Sequence, residues 1–593
     1  MKILAVTLER CSGCSLFIDD KIVFSSSEER YTRKKSDSLF PKNSIQKALE
    51  YCNVDPIELD HVLICGNRLS LIPSIMREYS TFTVDDQLLA MKEYWRPKLI
   101  ENKDISYVEL FKDKIDLENY PFNTEWGKKF DYFALENPYS VDDEKKVSEF
   151  FITTLSSFLN IEKSKISHVE HDTCHASYAL YGSPIREKNT LVVTADAWGD
   201  DLSATISVFD GEKIKRVKEY HHKDFQLARI YRYTTLALRM LANEHEYKVM
   251  GLAPYHNSTK TLEVEEIFNN MQSINGLEFS FNPDIKDIFQ YLDENLKNFR
   301  FDHIASGLQS FTEKLLTMWF TNMSTEFNSS SIVYSGGISM NVKANLVISK
   351  IPQIKNFFVC GAGTDETLPM GACYHQAILS KIFPKPLTDL YLGDNASYTE
   401  KQLTQMSGIK SIKFNSTDQI LEQLLDNKII GICRGRMEMG QRALGNRSII
   451  CDPRNIHNVE KINDSIKNRD FWMPFAPIIL DEYQEILIEN PKKLDSPHMT
   501  IAFETKNGKD LIPASVHRSD GTARAQLLKK SVNPELWNLI HSFYEKTGIP
   551  AVLNTSLNLH GYPIVRTIDD ALHVFQNSKL DLLWLENHII EKN

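Results

Sequence analysis

The chain lacks any uncharged apolar run near the roughly 18 residues of a helical membrane span. It also lacks an excess of positive charge: 68 Lys and Arg against 79 Asp and Glu leave a net charge of −11. Nothing global therefore attracts nucleic acid or an anionic membrane surface, and an anionic ligand must be caught locally. A disulfide framework is missing too. Nine cysteines, scattered and odd in number, suit a reducing compartment. Cys11 and Cys14 form a CxxC with no second CxxC or CxxH to complete a zinc tetrahedron, so they read as structural thiols. The opening MKILAVTLER holds one lysine and six apolar residues before Glu9, too few for the apolar core of a signal peptide. A cytoplasmic protein without membrane contact is the expectation.

What is present is length and core-forming capacity. The 593 residues, 42% hydrophobic and 25% charged, allow two to four domains. Residues 3 to 23, ILAVTLERCSGCSLFIDDKIV, run as apolar strand, polar turn, small-residue strand and Asp-Asp-Lys-Ile. Residues 191 to 214, LVVTADAWGDDLSATISVFDGEKI, repeat that order and end in Asp-Gly-Glu-Lys-Ile. Asp-Gly between apolar strands is a hairpin signal, because both central residues need φ > 0. Any two antiparallel hairpins look alike, so a third element matters. SIVYSGGISMNVKANLVI, 331 to 348, reads as a buried strand, a Ser-Gly-Gly turn and a helix; Gly336 and Gly337 let backbone approach a ligand that a Cβ would exclude. The succession fits a duplicated α/β unit of the actin and sugar-kinase superfold. Residues 380 to 402, with two prolines and turn residues, read as a linker, and a second domain follows.

Three regions carry candidate chemistry. HDTCHASYAL puts His171 and His175 on one helix face, since residues four apart share it. Asp196 ends the strand LVVTAD, and Asp365 lies in the glycine-rich turn GAGTDETLPMGA. Two imidazoles and two carboxylates suit one divalent ion, and the donor types do not choose among iron, manganese and zinc. GICRGRMEMGQRALGNRSIICDPR holds Arg434, Arg436, Arg442, Arg447 and Arg454 among glycines, with Glu438 the only acid before Asp452. Guanidinium forks match phosphate and carboxylate oxygens, and glycines let backbone N–H groups face the same anion. Further along come Lys467 and Arg469 in IKNRDFWMPFAPIIL, His517 and Arg524 in VHRSDGTARAQ, and Asn554, Ser556 and Asn558 after a buried-looking strand.

Taken together, HDTCH, EYKVMGLAPY (246 to 255), SGGISMNVKAN, GRMEMGQRALGNRSI (435 to 449), DGTARAQ and LNTSLNLHGYPIV resemble the O-carbamoyltransferases that decorate antibiotics, nodulation factors and other secondary metabolites. The resemblance spans nearly the whole chain. It implies an α/β protein with a duplicated actin-like domain over 1–384 and a YrdC-like domain over 385–593. The second domain would convert carbamoyl phosphate and ATP, with Mg as a possible companion of ATP, to carbamoyladenylate. The first would hold iron(II) and transfer the carbamoyl group to a hydroxyl of a small molecule or sugar.

By motif match, His171, His175, Asp196 and Asp365 are the implied metal ligands, and Gly336, Gly337 and Asn341 line a nucleotide site. Arg436, Arg442, Asn446, Arg447, Lys467, Arg469, His517, Arg524, Asn554 and Ser556 are the implied carbamoyl phosphate and ATP contacts. One departure stands out: where the family carries His-Asp in the first hairpin turn, this chain has Arg10-Cys11. Arginine does not deprotonate a hydroxyl at neutral pH. Glu246 or Glu9 would then serve as base, or Arg10 would hold an anionic acceptor. A nucleotide or hydroxymethylated base as acceptor and a sugar-kinase-like phosphotransferase are the alternatives; the latter leaves the arginine-rich domain without a task. Residues 70 to 140, with Tyr94, Trp95 and Trp126, read as an insertion near the acceptor, against aromatic core packing as the commoner explanation.

Overall fold

A computed structural model of the chain describes residues 1–8, 10–38, 40–69, 82–114, 118, 128, 141–404 and 408–592. Two five-stranded sheets in the first part have the same topology. In the first, β1 (Lys2–Thr7), β2 (Gly13–Ile18) and β3 (Lys21–Ser27) form an antiparallel meander, and β4 (His61–Cys65) and β5 (Ile166–Val169) extend it in parallel from β1. In the second, β6 (Leu191–Ala195), β7 (Leu202–Phe209) and β8 (Ile214–His221) form the meander. After a small hairpin of β9 (Gln272–Asn275) and β10 (Glu278–Phe281), β11 (Ser331–Ser335) and β12 (Asn356–Val359) add in parallel to β6. The strand orders 3-2-1-4-5 and 8-7-6-11-12 are one pattern used twice. The turn residues explain the hairpins: Asp19 sits at φ 60° and Gly211 at φ 102°, while Asp210 Oδ1 accepts from the N–H of Glu212 and Lys213.

The strands β6 and β11 are buried along their whole length, as parallel strands covered on both faces must be. Between the sheets lie two helices in contact with each other. His171–Tyr181 packs on β6 and β11, and Leu368–Leu379 packs on β1, β2 and β4.

The second part is one eight-stranded mixed sheet in the order 13-20-19-14-15-18-16-17. It comprises β13 (Ile409–Lys413), β14 (Ile430–Cys433), β15 (Arg447–Cys451), β16 (Ala476–Leu480), β17 (Gln526–Leu528), β18 (Ala551–Ser556), β19 (Leu582–Trp584) and β20 (His588–Lys592). Period-two alternation splits its residues between two cores. Ile430, Ile432 and Ile450 join the helix Pro534–Thr547, whereas Cys433, Ile449 and Cys451 join Ile568–Gln576.

The linker reading of 380–402 needs correction. Leu390, Leu392 and Ala396 are buried, and the segment is bonded on both sides: Ser25 N–H donates to Leu392 O, and Met437 and Met439 donate to Asp394 O and Leu390 O. Prolines and turn residues there mark an extended packed strip rather than a free tether. Tyr94 packs against Trp95 and Tyr107 at ring separations of 4.9 and 4.8 Å, so these aromatics are core; Trp126 and Glu9 lie outside the described residues. Among the described residues no helix is long and apolar enough to cross a membrane.

Candidate functional site

Two clusters of side chains face each other across the junction of the two parts. The first gathers His171, His175, Asp196 and Asp365, whose ligand atoms all lie within 4.8 Å of one another. The histidines come from the first two turns of the helix between the sheets, Asp196 from the end of β6, and Asp365 from the turn before Leu368–Leu379. His175 Nε2 is 3.2 Å from Asp196 Oδ2 and 3.6 Å from Asp365 Oδ1. His171 Nε2 is 3.9 and 3.6 Å from the same two oxygens.

The surroundings hold these groups in place. Asp200 accepts His171 N–H with one oxygen and the N–H groups of Asn67 and Arg68 with the other, satisfying an orphan donor of the helix N-terminus and tying it to the end of β4. Thr194 Oγ1 donates to Asp172 Oδ1 under the same helix. Gly337 N–H donates to Asp196 Oδ2 at 3.0 Å. The turn can come so close because Gly336 has φ 99°, and a Cβ there would lie 2.3 Å from Ala195 O.

Burial lowers the proton affinity of both imidazoles, but the carboxylates of Asp196 and Asp365 outweigh it and raise both. Burial pushes Asp196 up, and the two imidazoles more than reverse this, holding it well below the usual carboxylate range. The site thus favours positive charge between its rings and carboxylates.

The second cluster is cationic. Arg442, Arg469 and Arg524 lie close enough for their charges to act on one another, and each guanidinium is lowered from its ordinary value first by burial. Arg469 falls to about 10, with the charge of Arg442 contributing. Arg524 falls well below its usual range, with both Arg442 and Arg469 contributing. Arg442 Nε is buried without a hydrogen-bond acceptor. Arg469 donates to Thr555 Oγ1 at 3.2 Å. Lys467 is buried and donates to Ser556 Oγ at 3.1 Å and Asn558 Oδ1 at 2.6 Å, with its pKa pushed well down by burial and then by Arg469. Asn554 donates to Ala443 O, and its Oδ1 is buried without a donor. Cations so close together with so few acids suit an anionic ligand.

The clusters adjoin. Gly440, in the arginine-rich loop, packs so tightly on the Asp365 turn that a Cβ would lie 2.4 Å from Ala362 Cβ and 3.8 Å from Glu366 Oε2. Arg30 of the first part donates to Gly440 O at 2.6 Å. Glu366, next to Asp365, is raised to about 7 by burial and the charge of Glu29, while hydrogen bonding to Gln441 and the charges of Arg30 and Arg442 oppose this. Glu366 thus links the Asp365 turn to Gln441 and Arg442 of the arginine-rich loop.

Arg10 donates to Ser36 Oγ and lies 3.6 Å from Glu244. Cys11 beside it is at φ 62°, its thiol pushed up by burial and by Glu366, with Asp365 adding. Glu246 accepts Asn243 N–H; burial raises its carboxyl, against the pull of that bond and of Arg10 and Arg232.

Several sequence-selected residues have other tasks. Arg447 is fully buried and donates to the carbonyls of Arg434, Gly435, Asn446 and Arg566, so it fastens its own loop instead of facing an anion. Arg436 donates to the carbonyls of Val23, Leu392 and Gly393, joining the two parts. Asn446 bridges Arg436 O and Asn533. Asn341 caps the helix Val342–Ser349 through Ala344 N–H and pairs with Gln309. His517 Nε2 is held by Gly251 O at 2.7 Å, a docking contact between the parts. Asp172, Asp200, Glu366 and Gln441 are not singled out by the sequence pattern, although Asp172, Glu366 and Gln441 directly neighbour His171, Asp365 and Arg442.

Residues 2–374 match a family model described as carbamoyltransferase N-terminus, and residues 421–592 one described as carbamoyltransferase C-terminus. An uncharacterized protein of Methanocaldococcus jannaschii is 29% identical over 600 residues, covering 98% of each chain. The nodulation protein NolNO of Sinorhizobium fredii is 28% identical over 73% of this chain and 65% of its own. The 3'-hydroxymethylcephem-O-carbamoyltransferase of Amycolatopsis lactamdurans is 24% identical over 45% of this chain and 50% of its own.

Proposed function

Because the chain belongs to the carbamoyltransferase family and is a carbamoylating enzyme, we propose that it works in two steps at the two adjoining clusters, the first of them consuming ATP. We read residues 1–384 as an actin-like transfer domain and 385–593 as a YrdC-like activating domain. In the activating domain, hydrolysis of carbamoyl phosphate leaves carbamate and phosphate. A carbamate oxygen then attacks the α-phosphorus of ATP, the bond to the β-phosphate oxygen breaks, and carbamoyladenylate and pyrophosphate form. In the transfer domain an acceptor hydroxyl attacks the carbamoyl carbon, its proton goes to a base, and AMP leaves.

The observation that carries this reading is the convergence of Arg442, Arg469 and Arg524, with Arg442 close to Glu366 of the Asp365 turn. Three guanidiniums would bind phosphate oxygens and stabilise charge that develops on pyrophosphate as it leaves. Lys467, tied to Ser556 and Asn558, orders the end of β18 beside them. Carbamoyladenylate is hydrolysable, so a short path through Glu366 and Gln441 would limit its exposure to water.

The four-residue cluster fits a divalent transition ion. His171 Nε2 and His175 Nε2 are buried with no hydrogen-bond partner. Their spacings of 3.2 to 3.9 Å from the carboxylate oxygens approach the separations of about 3–3.6 Å between ligands that share one ion. We assign His171, His175, Asp196 and Asp365 as its ligands, with iron(II) the ion implied by the family resemblance. When bound, the ion would supply Lewis acidity toward the adenylate phosphate. Glu246, its carboxyl raised by burial, would take the acceptor proton, and Arg10 would orient the acceptor. The acceptor class is a small-molecule or sugar hydroxyl.

Incubation with carbamoyl phosphate and ATP tests the reading. Pyrophosphate released in step with phosphate is expected, whereas ADP formation, or release of neither product, would overturn it.

A further inference from the structure

A second group of metal-type ligands lies away from both clusters. His256 follows the turn Ala253–Tyr255, and Asp302 and His303 occupy the first turn of the helix Phe301–Glu326. Their ligand atoms lie within 4.8 Å of one another. The two imidazole centroids are only 4.1 Å apart, and His256 Nδ1 is 3.9 Å from Asp302 Oδ2. Ser258 Oγ is 2.8 Å from the other nitrogen, His256 Nε2. With Nε2–H donating to that hydroxyl, the Nδ1 lone pair faces the carboxylate, the arrangement by which outer hydrogen bonds orient metal-binding imidazoles.

Arg300 opposes a cation here. It forks onto both oxygens of Asp302 at 3.1 and 2.9 Å. Its side chain is nevertheless 70% exposed, so it can swing into water at small cost while the carboxylate stays in place.

We propose that His256, Asp302 and His303 form a second transition-metal site, of a class suited to Zn2+, separate from the four-residue cluster. Two imidazoles and one carboxylate favour zinc over magnesium or calcium, and three protein ligands leave a position for water. The site's place gives it a role. Gly251 O accepts from His517 Nε2, Pro254 O accepts from Ser519 Oγ at 2.6 Å, and the Tyr255 ring packs 5.3 Å from His517 and 5.8 Å from Phe471. The segment 251–256 is therefore a seat of the C-terminal part, and an ion binding His256 to His303 rivets that seat to the long helix.

Zinc titration of the chelator-treated full-length chain, followed by calorimetry and elemental analysis, tests the proposal independently of the reaction. The wild type should take up two equivalents. His303→Ala should lose one and His175→Ala the other, with circular dichroism unchanged. Arg300→Gln should bind the His303-dependent equivalent several-fold more tightly, because the competing cation is gone. Uptake by His303→Ala equal to wild type, loss of all uptake in His175→Ala, or unchanged affinity in Arg300→Gln would each overturn the second site.

Discussion

Replacing Arg524 by methionine should stabilise the protein while disabling the first half-reaction. Arg524 lies near Arg442 and Arg469, and burial and both like charges hold its guanidinium well below its usual range. Methionine keeps much of the aliphatic length and removes the charge. Exchanging buried ionic groups for apolar ones gains about 1–4 kcal/mol. The three side chains are partly open to solvent, so the low end, about 1 kcal/mol, applies. In a domain of this size that amounts to a Tm rise of about 2–4 °C. Against this, a charge-assisted bond to a phosphate oxygen is worth about 1.5–3 kcal/mol, or about 10- to 150-fold in kcat/KM. Thermal unfolding by circular dichroism and a coupled pyrophosphate assay read the two effects. A lower Tm combined with undiminished pyrophosphate formation would refute the reasoning, since Arg524 would then be a structural cation rather than an anion receptor.

Arg447→Met should behave in the opposite way: four backbone carbonyls lose their donor, so unfolding should come easier by about 3 kcal/mol or more, while the folded fraction keeps its KM for ATP. His498 is buried with neither ring nitrogen bonded, and burial depresses it to about 4, against the pull of Asp495 and Asp389. A depressed histidine stays neutral in the folded protein and takes a proton in the unfolded chain. Stability is then whole above the ordinary value of 6.5 and is lost as pH falls toward about 4. That loss is about 3 kcal/mol over the window, and His498→Leu should flatten it in urea titrations run at stepped pH. Glu246→Gln should slow carbamoyl transfer by about 10²- to 10⁴-fold. It should also remove an acid limb lying above the ordinary glutamate range, the direction in which burial moves Glu246, and leave pyrophosphate formation intact; a transfer profile identical to wild type would exclude Glu246 as base.

Local pattern carried much of this structure. The HxxxH spacing puts two rings on one helix face, and the echo of two hairpins becomes two sheets of identical topology. The glycines of the arginine-rich loop serve tight turns, since Gly435, Gly440 and Gly445 all have positive φ, but the N–H groups of Gly435 and Gly445 donate to Glu586 and Ser448 instead of facing an anion. What stayed hidden depends on partners distant in sequence. A run of arginines reads the same whether its forks meet phosphate or backbone, and Arg447 is distinguished from Arg442 only by carbonyls as remote as that of Arg566. Asp200 resembles any loop acid until Asn67 and Arg68 arrive at its carboxylate. The 380–402 strip has the composition of a tether, and only packing by Leu390 and Leu392 makes it part of the body.

The division of labour between the two clusters is tested most directly by comparing His175→Ala with Arg442→Met in one assay. Each variant would receive carbamoyl phosphate, ATP and a metabolite extract, with pyrophosphate and newly carbamoylated products quantified together. The account predicts that His175→Ala releases pyrophosphate near the wild-type rate and yields no carbamoylated product, while Arg442→Met loses both. Equal loss of both activities in His175→Ala, or carbamoylated product from Arg442→Met without pyrophosphate, would contradict it.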